Sequence, residues 1–193
     1  TSSLKKYFSD SEFLYINDLL KNSDLKKKFL VFEVSSKKKI ILISIKKNLK
    51  NSDIESLGAE LFKLLNHGKN NEYILNTDTV VGKHENFIGY LIHGLKLKSY
   101  EFKKYKTKKE SKIISINVAG NKNIPSPKTK LKFTALEEGT FYARDLVSEP
   151  GNILHPDEYA KRLNSLKKDG LKIKVYDKNK LKKLGMNALL GVG

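Results

Sequence analysis

The sequence predicts an α/β protein: an N-terminal mixed sheet flanked by helices, a linker helix, and then the first β/α elements of a second α/β domain. Three observations predict it. Short β-branched runs alternate along the chain with segments whose apolar residues recur at helical spacing, the pattern of sheets with helices packed on them. The alternation is interrupted once, at the corner Pro150-Gly151-Asn152. It then resumes, so the chain divides into residues 1–132 as an N-terminal α/β domain, 133–155 as linker helix and junction, and 156–193 as the beginning of a further domain.

Taken in order, Ser9 to Lys21 places Phe13, Ile16, Leu19 and Leu20 at helical spacing, with Ser9 or Asp10 available as cap. Phe29 to Val34 and Ile40 to Ile45 are β-branched and apolar and are joined by a polar stretch, which predicts a hairpin. Ser52-Asp53-Ile54-Glu55 has the form of a capping box, followed by Ile54, Leu57, Leu61, Leu64 and Leu65 on one helical face and by Gly68 at the expected stop. Glu72 to Leu75 reads as a short strand. Glu85 to Leu97 reads as a helix, with Ile88, Leu91, Ile92 and Leu95 at i, i+3, i+4 and i+7.

Lys112 to Ala119 reads as a buried strand, and Asn121 to Lys132, with Pro125 and Pro127, as a loop or linker. In the helix that follows, Leu136, Phe141, Leu146 and Val147 can share one face, leaving Glu137, Glu138, Arg144 and Asp145 to water. Pro150 ends that helix, because proline cannot continue one and holds its predecessor extended. Pro156, with Asp157 and Glu158 behind it, suits a new helix start. That helix is expected to stop near Gly170; Leu171 to Tyr176 then reads as a strand and Lys178 to Gly185 as a short helix.

The 193 residues suffice for one generous domain and part of another. Cysteine is absent, which excludes disulfides and thiolate metal sites. No apolar run has the ~20-residue length of a membrane span, and none near the start has that of a signal peptide, so the expectation is a cytoplasmic protein with no membrane partner. The net charge of +17 raises the question of nucleic acid. Only Arg144 and Arg162 are arginine, however, and lysine is the poorer bidentate reader of phosphates and bases. Dispersed lysines beside many asparagines also fit a general compositional bias.

One local run keeps the nucleic-acid reading open. Tyr100 to Lys109 interleaves aromatics and cations, and Lys103, Lys104, Tyr105, Lys106 and Lys108 are its candidate contacts. The alternative is that Tyr100, Phe102 and Tyr105 pack inward while the lysines stay solvated. Of the four histidines, His67, His84, His93 and His155, none lies four residues from another, and no zinc-protease, nucleophile-elbow or phosphate-loop motif occurs.

Three stretches carry a family resemblance. Arg144-Asp145-Leu146-Val147-Ser148-Glu149-Pro150-Gly151-Asn152, followed by Pro156, resembles the inter-domain junction of the leucyl aminopeptidases (cytosol aminopeptidases, peptidase family M17). The segments Gly94 to Lys109 and Leu184 to Gly193 are similar to that family's late N-terminal domain and early catalytic domain, in the right order. The resemblance implies a macro-domain-like N-terminal unit and a metalloaminopeptidase acting on peptides. It further implies two divalent metal ions, zinc or manganese, and a homo-oligomer, a hexamer. By the same resemblance the segment is a non-catalytic scaffold: the metal ligands and catalytic residues are expected beyond Gly193, so no catalytic or metal-binding residue takes a number here.

Two short echoes of the family's metal motifs, Val81-Gly82-Lys83 and Asn76-Thr77-Asp78, do not fit. The family's aspartate position falls on Ile88, Thr79 and Val80 replace an alanine and a carboxylate, and the order of the two motifs is reversed.

Overall fold

The computed structural model describes residues 2–36, 38–46, 48–82, 84–107 and 111–192. Lys83 and Lys108, both singled out above, lie outside the described residues, as does Gly193. The chain forms two compact units, Thr1–Phe141 and Tyr142–Gly193. Both are built of helices, with small sheets in the first, and the class is α/β.

In the first unit a 3-10 turn leads to α1 (Asp10–Lys21). Ser9 caps α1 in a full capping box: its Oγ accepts from the Glu12 N–H, and the Glu12 carboxylate accepts from the Ser9 N–H. The hairpin follows as β1 (Phe29–Ser35) and β2 (Lys38–Ile43), antiparallel, with a bulge between Glu33 and Ser35. α2 (Asn51–His67) starts earlier than its sequence signature predicts. The N-cap is Lys50, whose N–H donates to Asp53 Oδ2 at 2.9 Å, so Asp53 supplies the reaching carboxylate in place of Glu55. Gly68 closes α2 by donating to the Leu64 and Leu65 carbonyls, and Lys112 Nζ donates to the Leu65 and Gly68 carbonyls.

β3 (Glu72–Asn76) and β4 (Ser115–Ala119) pair in parallel, Ile74 opposite Asn117, across a crossover that contains α3 (Phe87–Ser99). The strands thus form two two-stranded sheets among the described residues, one antiparallel and one parallel. A shared helical layer serves both. Ile54, Leu57, Leu61 and Leu65 of α2 meet Phe87, Ile88, Leu91 and Leu95 of α3, and Phe29, Ile41 and Ile43 of the hairpin and Tyr73, Leu75 and Ile116 of the parallel pair pack on that cluster. Each such buried aliphatic side chain contributes about 1.5–3 kcal/mol.

α4 (Pro127–Ser148) replaces part of the expected linker. Pro127 is its first residue, a position where the missing N–H costs nothing because that donor has no helical partner. The buried side of α4 also differs from the expected one. Leu136 is 48% and Val147 87% exposed, whereas Phe133 and Glu137 are buried. The inward stripe therefore runs Phe133, Glu137, Phe141, and it turns on a carboxylate that its polarity alone assigns to water.

In the second unit Pro150 turns the chain, its carbonyl accepting from the Ile153 and Leu154 N–H groups at 2.9 Å each. α5 (Pro156–Ser165) begins at proline, as expected. The buried Glu149 carboxylate receives the Arg162 guanidinium, which also donates through Nε to Glu158 Oε1 at 2.9 Å. After a 3-10 turn and Gly170 in left-handed geometry (φ +87°), residues 171–176 run on to α6 (Lys178–Lys183) and α7 (Asn187–Leu190). Among the described residues the strand predicted from Leu171 to Tyr176 is not formed, and no strand pairs with it there.

Candidate functional site

Residues 100–107 of the basic-aromatic run follow α3 as irregular chain. Tyr100 tilts against Phe141 with ring centroids 5.4 Å apart, and Phe102 lies 5.8 Å from Tyr105. Tyr100 and Phe102 are half-buried, as inward packing requires; Tyr105 is 50% exposed and carries the Lys104 ammonium 5.4 Å from its ring centre. Lys103 pairs with Glu101, and Lys106 N–H closes a turn onto the Lys103 carbonyl at 3.1 Å. The structure thus brings Lys103, Lys104, Tyr105 and Lys106 onto one turn.

Asn76, Thr77 and Asp78 stand at the carboxyl ends of the parallel strands and are used to fasten them. Asn76 Oδ1 accepts from the Asp78 N–H, and the buried Thr77 hydroxyl donates to the Ala119 carbonyl. Asp78 Oδ1 accepts from two successive N–H groups, Asn121 at 2.8 Å and Lys122 at 2.7 Å. These two donors hold the Asp78 carboxyl below the usual carboxylate range. Gly120 lets the carboxylate in: its φ is +129°, and a Cβ there would meet Thr77 Oγ1 at 2.4 Å. The Asp78 carboxylate is therefore committed to the strand ends.

A second polar cluster escaped sequence reading. On α3, His93 Nδ1 lies 3.1 Å from Glu137 Oε1, and Lys96 Nζ donates to Glu137 Oε2 at 2.8 Å. The His93 and Glu137 side chains are both 7% exposed, and Phe133 covers the imidazole with centroids 5.0 Å apart. Its only trace in the sequence is spacing: Gly89 and His93 are four apart on one helix, Phe133 and Glu137 four apart on the other.

Among the described residues no three His, Asp or Glu side chains converge on a point where a metal ion could sit. A two-metal hydrolytic centre needs several carboxylates around both ions. These residues do not fit one.

The architecture defines the class first: an α/β unit of small sheets on a two-helix layer, joined through a long helix to a second unit. The profile of the cytosol aminopeptidase family's catalytic domain matches residues 141–193. Curated relatives named "Probable cytosol aminopeptidase" include one from Dinoroseobacter shibae, 35% identical over 80% of this chain and 30% of its own length. Another, from Bradyrhizobium sp., is 40% identical over 53% of this chain and 21% of its own length. Among solved structures, a mutant of tomato leucine aminopeptidase superposes with a TM-score of 0.67 at 15% identity, covering 89% of this chain and 37% of that one. The bottromycin maturation enzyme BotP in complex with Mn gives 0.63 at 18%, covering 86% and 36%. At these identities the two structures speak for the fold. The chain belongs to the cytosol aminopeptidase family, peptidase family M17. It spans about a fifth to a third of the length of the curated relatives it matches. No helix among the described residues is long and apolar enough to cross a membrane.

Proposed function

We propose that residues 1–193 are the N-terminal unit and the opening of the catalytic domain of a metal-dependent leucyl aminopeptidase. The enzyme removes N-terminal residues from peptides in the cytoplasm with two divalent metal ions, zinc or manganese. The observation that carries the reading is a coincidence of two boundaries: the catalytic-domain match begins at residue 141, and the first compact unit closes at Phe141. The side chains that hold the metal belong to the remainder of the catalytic domain. The first unit is a non-catalytic scaffold that orients subunits of a homo-oligomer, a hexamer, and its closely packed α2–α3 layer suits that work. The test is cleavage by the full-length polypeptide of a leucine-initiated peptide and of its N-acetylated form. Release of free leucine from the first alone is expected; cleavage of both, or of neither, contradicts an aminopeptidase.

A second reading rests on the turn that presents Lys103, Lys104, Tyr105 and Lys106, in a chain of net charge +17. An exposed ring beneath an ammonium offers a stacking surface beside a phosphate contact. On this reading the first unit binds DNA or RNA, and duplex affinity falls steeply with salt. Absence of binding at low salt rules it out.

A further inference from the structure

We draw no further inference here: the strongest candidate, the polar cluster at the carboxyl ends of β3 and β4 where the Asn121 and Lys122 N–H groups converge on one oxygen, is filled by the Asp78 carboxylate and belongs to the strand fastening already described.

Discussion

Gly94 of α3 lies against the backbone of Glu55 in α2 so closely that a Cβ built on it would stand 1.9 Å from the Glu55 carbonyl oxygen. One turn away the relation is mirrored, with a Cβ on Gly58 meeting the Leu91 carbonyl oxygen at 2.0 Å. The two helices therefore touch backbone to backbone, and this contact sets the separation at which the leucines of both interlock. Gly94→Ala and Gly58→Ala force the helices apart and cost at least about 1–3 kcal/mol each, despite alanine's better helix propensity. Gly139 of α4 has nothing within 4 Å of its would-be Cβ, so Gly139→Ala is expected to stabilise by about 1 kcal/mol. Urea denaturation of the three variants checks the contrast; equal effects at all three sites contradict it.

Glu137 holds α4 to α3 through His93 and Lys96. Glu137→Ala leaves a buried imidazole and an ammonium without their acceptor and is expected to cost about 3–5 kcal/mol. Glu137→Gln keeps the shape and an acceptor and costs less. Lys96→Met, at a side chain 49% exposed, is milder than either. Equilibrium unfolding of the three variants gives the order directly, and a Lys96→Met loss as large as that of Glu137→Ala speaks against the arrangement.

Asp78 gives the fold a pH-dependent fastening. Its carboxyl is held low first by the Lys122 N–H and then by the Asn121 N–H, with Lys6 and Lys122 adding positive charge. A depressed folded value means that the group stabilises the fold above its unfolded value, about 3.9, and loses that contribution as pH falls through the folded value. Asp78→Ala is thus expected to be less stable than the parent at pH 7, with the gap closing as pH falls below about 4. Thermal unfolding from pH 2.5 to 7 measures it; a gap independent of pH refutes the assignment.

Much of this was legible in the sequence, where structure is decided by neighbours along the chain. The Ser9 cap, the hairpin, and the stripe Ile54, Leu57, Leu61, Leu65 all depend on spacings of a few residues, and all formed, whereas the capping box expected at Ser52 to Glu55 gave way to Lys50 and Asp53. What was not legible depends on partners far away. Nothing local distinguishes Glu137 from the solvated Glu138; only His93, forty-four positions earlier, makes it a buried residue. Gly58 and Gly94 show their purpose only when two helices meet. Leu171 to Tyr176 have strand chemistry but no ladder among the described residues, because a strand is a property of two segments. The family was legible from the junction around Pro150, whereas no catalytic side chain could be numbered, and among the described residues none assembles a metal site.

The most direct test of the central claim is hydrolysis of a leucyl substrate by the full-length polypeptide before and after treatment with a chelator. The account predicts activity that chelation abolishes and that added manganese or zinc restores. Cleavage that survives chelation, or no cleavage with either metal present, would contradict it.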